Sequence, residues 1–458
     1  MNEERTSNKM GVMPVGRLLI SMSLPMMISM LVQALYNIVD SIFVAKISEA
    51  ALTAVSISFP IQNLMIALGV GIAVGVNARL SKSLGEGNPQ RASRIAVQGL
   101  FIEALCYVVF LLIGLFALDL FFRSQTADPE ITRMGREYLS VCCIFSFGLF
   151  TQIIFERLLQ STGRTTLSMI SQLIGAVTNI ILDPILIFGV PALGIPATGV
   201  TGAAVATVIG QCLGALASII LNARRNRELT LDLRGFRPDG RLCGEILSIG
   251  VPSAIMGSIG SVMTYGVNRI LFSFEEGGKT AAAVFGVYFK LQSFVFMPVF
   301  GLNNGMVPIV SYNFGAKNRE RITKTIIYSA VYATAIMLLG LAAFQLVPEL
   351  LLSLFDASAQ MLVIGVPALR IISLCFVFAG FSIVCSSMFQ ALGNGFFSMI
   401  MSIARQLLIL LPAAWLLAHT FGLGAVWYAF PIAEIFCLII CLLMLRHTWR
   451  KTIRPLGA

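Results

Sequence analysis

Met169-Ile-Ser-Gln-Leu-Ile-Gly-Ala-Val-Thr-Asn-Ile-Ile-Leu-Asp-Pro-Ile-Leu-Ile187 is long enough to cross a hydrocarbon core as one helix, and it carries a carboxylate, Asp183, inside the apolar run. About 20 apolar residues span the core. An acid at its centre costs roughly 2.5–3.5 kcal/mol even on mild insertion scales. Outward from this stretch, Ile102–Leu118, Leu139–Phe155 and Tyr328–Val347 approach the same length. Of the 458 residues, 57% are hydrophobic and 12% charged, with a mean hydropathy of +0.87. Soluble domains hold about 25% charged residues, so this chain has too few charges to cover a water-facing surface. The reading is an all-α polytopic membrane protein. Twelve transmembrane helices are predicted at 15–44, 51–80, 95–122, 134–156, 166–190, 199–222, 244–273, 281–311, 325–350, 360–388, 396–419 and 424–445.

The net charge of +10 follows loop parity. Counting residues at span ends with the adjoining loop, 23 of the 32 basic residues, Arg5, Lys9, Arg17 and Arg157 among them, fall at the N-terminus, the even-numbered loops and the C-terminus. The odd-numbered loops hold 5, and Arg269, Lys290, Arg370 and Arg405 fall in spans or near their ends. The positive-inside rule then places both termini in the cytoplasm of a multi-pass protein of the cell membrane. The charge is a topology signal, and no nucleic acid is expected as partner. The nine Cys lie mostly in apolar runs and fit neither a disulfide framework nor a zinc pattern. Gly278-Lys279-Thr280 lacks the first glycine of a phosphate loop, where Ser273 stands, so no nucleotide site is expected.

The most charged loop, Asn222 to Cys243, lies at the chain's midpoint and reads as a linker. The halves match at an offset of 230 residues. Gly71 meets Gly301, Gly75 meets Gly305, Gln62 meets Gln292, and Leu159-Gln-Ser-Thr-Gly163 meets Phe389-Gln-Ala-Leu-Gly393. Ser83-Leu-Gly-Glu-Gly-Asn88 likewise meets Asn313-Phe-Gly-Ala-Lys-Asn318, and Leu24-Pro25 meets Val251-Pro252 at a slightly shorter offset. The expected organisation is two six-helix repeat bundles around a central cleft: an N-lobe at 1–222, a cytoplasmic linker at 223–243 and a C-lobe at 244–458. Parallel repeats of this kind bind substrate near the midplane and rock against each other. Gly71-x-x-x-Gly75 and Gly301-x-x-x-Gly305, inside apolar helices, are expected to permit close helix contact.

Two polar faces stand out. Gln33, Asn37 and Asp40 are spaced by four and three residues and share one face of the first helix, with Tyr36 beside it. Gln172, Asn179 and Asp183 form a second such face. Pro184 removes the amide that would bond the carbonyl of Ile180, and freed backbone at membrane depth is tolerated where it lines a cavity. If both acids share one pocket, burial and mutual repulsion favour a proton on one of them. Pro25 and Pro184 are the candidate hinges, and Gln33, Tyr36, Asn37, Gln172 and Gln292 the candidate substrate contacts. For Glu103, pairing with a buried Arg or Lys is expected. Glu434 is left open between such a pair and a cation site, and Lys290 is read as a balance to an acid.

These residues resemble those of the multidrug and toxic compound extrusion (MATE) family over nearly the whole chain. The resemblance rests on Leu24-Pro25 with Asn37-x-x-Asp40, Leu84-Gly85-Glu-Gly-Asn88, Leu159-Gln160-x-x-Gly163, Asn179-x-x-x-Asp183-Pro184, Thr198-Gly-Val-Thr-Gly202 and Asn303-x-Gly305…Pro308…Asn313-Phe-Gly315-Ala. It implies a secondary active exporter of bulky cationic drugs or dyes, driven by a proton or sodium gradient, and not an enzyme. The family's proton-linked members use an N-lobe network whose matching positions here are Asp40, Asn179, Asp183 and Thr201. Some sodium-linked members add acids in helices seven and ten, and this chain has none in Val251–Ser273 or Gln360–Met388. That departure favours the proton. Two carboxylates with Asn and Thr oxygens also suit a hard cation, so sodium at Asp40 and Asp183 stays open. No cofactor is implied beyond the coupling ion, and a monomer suffices for a two-lobe pathway. The alternative within the superfamily is a lipid-linked saccharide flippase, which a strongly basic cleft would favour.

Overall fold

A computed structural model describes residues 8–355 and 357–456. Arg5 and the outermost residues of both predicted lobes lie outside them. Among the described residues, ten helices are long and apolar enough to cross a membrane alone: α1 (Val15–Ala45), α2 (Glu49–Gly85), α3 (Pro89–Gln125), α5 (Thr165–Phe188), α6 (Gly199–Arg225), α7 (Gly240–Phe272), α8 (Gly278–Gly315), α9 (Arg319–Leu346), α11 (Gly395–Phe421) and α12 (Leu423–Ile453). Two bent pairs complete the twelve-helix fold: α4 (Pro129–Ile144 with Phe147–Ser161, bent 45°) and α10 (Ala359–Ser373 with Phe376–Ala391, bent 49°). Side chains that bond the preceding turn accompany both bends. Ser146 Oγ donates to the Cys143 carbonyl at 2.8 Å, and Ser373 Oγ to that of Arg370 at 3.1 Å. Such bonds compete with the helix ladder and bend it.

The helices overrun the predicted spans because polar caps extend them. Asn88 Oδ1 accepts from Arg91 N at 2.9 Å, and Asn318 Oδ1 accepts from Arg321 N at 3.1 Å. The turns before these caps match too. Gly87 has φ +72°, and its mate Lys317 takes the left-handed conformation at φ +56° without being glycine.

The sequence offset is spatial. Ser81 Oγ donates to the Ser161 carbonyl and Ser311 Oγ to the Ala391 carbonyl, each at 2.9 Å. A Cβ on Gly71 would lie 2.5 Å from Ala254 N, so α2 and α7 touch backbone to backbone. A Cβ on Gly301 would lie 2.5 Å from Met27 Cα, joining α8 to α1 in the same way. At the basic end of the bundle a Cβ on Gly85 would run into the Tyr312 carbonyl, and one on Gly315 into that of Lys82. The glycines thus do what their place in apolar helices predicted. Gly71→Leu is expected to destabilise the fold by about 1–3 kcal/mol through overpacking. This would be read as a lowered unfolding midpoint in detergent, with Gly286→Leu, which meets nothing within 4 Å, as unchanged control.

The buried residues form two cores, and these exchange the first turns of the repeats. Leu18, Leu19 and Met22 of α1 pack with the helices of the second half. Leu242 and Ile246 of α7 pack with those of the first. The linker marks the repeat in sequence, while the packing boundary runs through α1 and α7.

Candidate functional site

The two polar faces read from sequence meet in one cavity of about 460 Å³. Gln33, Tyr36 and Asn37 line it from α1, Gln172 and Asn179 from α5, and Thr207 and Gln211 from α6. Val70 and Val74 of α2 make an apolar wall, and Phe300 and Asn304 of α8 close the side toward the second half. Apolar walls with a few fixed polar groups suit a bulky organic ligand.

Asp40 and Asp183 sit together beyond one end of this cavity, their carboxyls within hydrogen-bonding reach of each other. Asp183 is fully buried, and Asp40 Oδ1 is enclosed without a donor. Asn179 lies between Asp183 and Thr207. With its amide turned to satisfy both neighbours, the nitrogen donates to Asp183 Oδ2 at 3.1 Å and the oxygen accepts from Thr207 Oγ1 at 3.2 Å. A hydrogen bond between two carboxyls exists only if one of them holds a proton, because an ionised carboxylate can only accept. The two carboxyls can therefore share one proton.

Thr201 has no hydrogen bond to the pair or to Asn179 among the described residues. It is half-buried in the first turn of α6, about 9 Å before Thr207 along the helix, and it is Thr207 that reaches Asn179. Gln292 is half-buried on α8 outside this cavity. The helix α1 runs unbroken through Pro25, as α5 does through Pro184.

The opposite end of the cavity holds a third acid that the sequence reading passed over. Glu156 is buried, and its Oε1 accepts from Gln152 Nε2 at 2.9 Å and Ser171 Oγ at 3.1 Å. Ser171 lies twelve residues before Asp183 on α5, so the two acidic ends are about 18 Å apart. The signal was present, since Gln152, Glu156 and Gln160 repeat at four-residue spacing on α4. It was hidden because the predicted span ended at 156. Arg157, counted above among loop residues, is in fact buried within α4. Its Nη1 donates to Gln160 Oε1 at 2.8 Å and to Asn304 Oδ1 of α8 at 3.0 Å, bridging the two halves.

The other acids sort differently. Glu103 is buried with both oxygens undonated, against the pairing expected for it. The candidate cations Arg269, Lys290, Arg370 and Arg405 all belong to the second half, whereas α3 packs on Val76 and Ile154 one turn away. Glu434 has a cation beside it, with Arg405 Nη1 at 3.6 Å. Lys290 lies over the Phe355 ring, 5.8 Å from its centroid.

A family model described as MatE matches residues 25–185 and 252–416, starting at Pro25 and Pro252, one copy in each half. The chain belongs to the MATE family of transporters. It is 27% identical over 421 residues to the multidrug export protein MepA of Staphylococcus haemolyticus, covering 92% of this chain and 91% of that one. It is 26% identical over 432 residues to MepA of Staphylococcus aureus strain NCTC 8325, covering 94% and 93%. Among solved structures it superposes with a TM-score of 0.90, at 26% identity and over 99% of this chain and 100% of the other, on the outward-facing conformation of a multidrug resistance MATE family transporter. It matches equally well, at 0.90, 27% identity and 98% and 100% coverage, a MOP superfamily transporter from Pyrococcus furiosus described as having a binding pocket of reverse polarity that suggests a different function. As a MATE multidrug efflux transporter the chain is a multi-pass membrane protein that moves small molecules, and it is not an enzyme.

Proposed function

We propose that this MATE chain exports bulky organic cations by alternating access, in exchange for protons taken up at Asp40 and Asp183. The observation that carries the reading is the carboxyl pair at one end of a polar-lined cavity in the first half. A proton on the pair and a cation in the cavity compete electrostatically, so binding one releases the other. Asn179 keeps Asp183 oriented in either state, Thr207 anchors Asn179, and Thr201 joins the network in the opposite conformation. Gln292 meets the substrate from the second half once the cleft is rearranged. Pro25 and Pro184 leave carbonyls free one turn back, which lets α1 and α5 repack with the charge of the pair. The moving bodies are the lobes at 1–222 and 244–458, except that residues 8–22 and the first turns of α7 travel with the opposite lobe into which they pack; the linker at 223–243 joins the lobes, and a monomer contains the whole path. Both termini face the cytoplasm. Sodium remains the competing ion, since the same oxygens suit a hard cation.

One inward proton across about 100 mV supplies roughly 2.3 kcal/mol, plus any pH gradient. Exchange of one proton for one monovalent cation moves no net charge, and the pH gradient alone then drives it. The cavity carries one acid, Glu156, and one cation, Arg157, on its lining, and the Asp pair lies beyond it. Glu156 and Arg157 offset each other on the lining, so the acidic character of the site comes from the Asp pair beyond it. That polarity disfavours the anionic cargo of a lipid-linked saccharide flippase.

Glu156 supplies the test of cation recognition. Purified protein should bind ethidium, followed by its fluorescence, and Glu156→Gln should weaken that binding about tenfold while a neutral dye of similar size is unaffected. An ion-assisted contact is roughly twice as strong as a neutral one. Equal loss for both dyes would make Glu156 a structural group.

A further inference from the structure

Residues 8–13 lie across the end of the bundle where α2 and α8 meet, and they are bonded to both halves. The segment is a short helix, Lys9–Val12, capped by Asn8 Oδ1 on Met10 N at 2.9 Å. The Asn8 amide donates to the Thr162 carbonyl in the α4–α5 turn at 3.2 Å and to Glu228 Oε2 in the linker at 2.6 Å. Gly163, at φ +82° beside Thr162, gives the segment room, because a Cβ there would lie 3.1 Å from Lys9 Cε. From the other half, Arg321 Nη2 donates to the Met10 carbonyl at 2.9 Å and the Met13 carbonyl at 2.7 Å, and Asn313 Nδ2 to the Met10 carbonyl at 3.1 Å. Gly11 sits against the Tyr312 ring, and the Met10 side chain is fully buried in the second-half core.

We infer that residues 8–13 are a clasp that holds this end of the cleft shut and that must release Thr162 and Glu228 before the cleft opens here. The geometry says which side lets go. The second half holds the segment by two carbonyls, three donated bonds and a buried Met, while the first half holds it through one half-buried amide. The tie to the second half therefore persists, and Asn8 is the releasing contact. Met13 and Pro14 are extended, at φ −67°, ψ 143° and φ −52°, ψ 130°, which breaks the helix between the clasp and α1 and lets the two move separately. No other described segment bonds the α4–α5 turn and the α8–α9 corner through its own residues in this way. The clasp rests on the alternating-access reading above, since a transporter that never opens at this end has no use for a release.

The test joins the releasing contact. Asn8→Cys with Glu228→Cys, in a chain whose Cys212 and Cys243 are Ser, would be bridged by a short bifunctional thiol reagent cleaved by reduction, in protein reconstituted in liposomes. Ethidium efflux is expected to fall about tenfold or more on bridging and to return on reduction, with each single Cys variant insensitive to the reagent. Efflux that continues at the unbridged rate overturns the clasp. Absence of efflux from the parent chain under every gradient would instead sink the transport reading itself. Asn8→Ala supplies the converse: losing the amide should shift the balance toward the open end about fivefold. A thiol reagent would read this as faster labelling of Ser83→Cys, which is buried on α2 two residues before the Gly85 contact with α8. Labelling as slow as in the parent would also contradict the clasp.

Discussion

Asp183→Asn is expected to lower gradient-driven efflux of an organic cation about 100-fold, the upper range of a coupling free energy between two sites, with the unfolding midpoint in detergent little changed. The side chain is buried and bonded to Asn179, and an amide of the same shape keeps that geometry. What it loses is the proton. An amide beside Asp40 supplies a fixed donor where a carboxyl alternates between donor and acceptor, so the pair can no longer exchange a proton for a ligand. Asp40→Asn should match it, and the double variant should be no worse than either single one, because the two acids act as a unit. Efflux assays on the two single variants and the double, each at matched protein content, check both statements. An additive double variant would assign the acids to separate steps.

The second large effect concerns stability. Arg405→Leu should destabilise the protein by about 3 kcal/mol, because it leaves Glu434 buried and unpaired. Arg405 Nη1 lies 3.6 Å from Glu434 Oε1, and the Glu434 side chain is only 7% exposed. Replacing both residues by Leu should recover most of the loss, since an apolar pair of similar volume is often neutral. Thermal midpoints of the parent, the two single variants and the double test this, and a double variant no more stable than Arg405→Leu would contradict it. A local distortion coincides with this pair. Residues Ala404–Leu410 of α11 form a wider, π-helical stretch, and such bulges appear where a helix must place an extra residue. Arg405 lies in the first turn of this stretch.

Much of this architecture was legible before any coordinates. The twelve spans followed from run length and charge scarcity, because backbone polarity forces a spanning chain into helices. The repeat followed from glycines at one offset, and the structure shows why those positions need glycine: each lies against another helix's backbone, as Gly71 does against Ala254. The two polar faces bearing Asp40 and Asp183 were legible because helical periodicity fixes which side chains share a face, while their meeting was only a condition in the sequence reading.

What was not legible depended on where helices end and how they pack. Glu156 and Arg157 were lost at a span boundary: the four-residue spacing of Gln152, Glu156 and Gln160 marks a polar face, but not that α4 continues past residue 156. Thr207 was missed because its contact with Asn179 turns on the rotation of α6 against α5, which periodicity alone does not fix. Glu103 was assigned a partner because an unpaired buried acid is costly, yet every candidate cation lay in the opposite half. The clasp at residues 8–13 was invisible because its bonds reach residues about 150 to 310 positions away in the chain, and a polar segment before the first span gives no sign of its partners.

The central claim, export of organic cations against protons through the first-half acids, is tested most directly by efflux from liposomes. Purified protein would be reconstituted with ethidium inside, and efflux compared under an imposed pH gradient and an imposed sodium gradient, for the parent chain and Asp40→Asn. The account predicts efflux driven by the pH gradient, indifferent to sodium and absent in the variant. Efflux driven by sodium alone, or by a pH gradient but undiminished in Asp40→Asn, would contradict it.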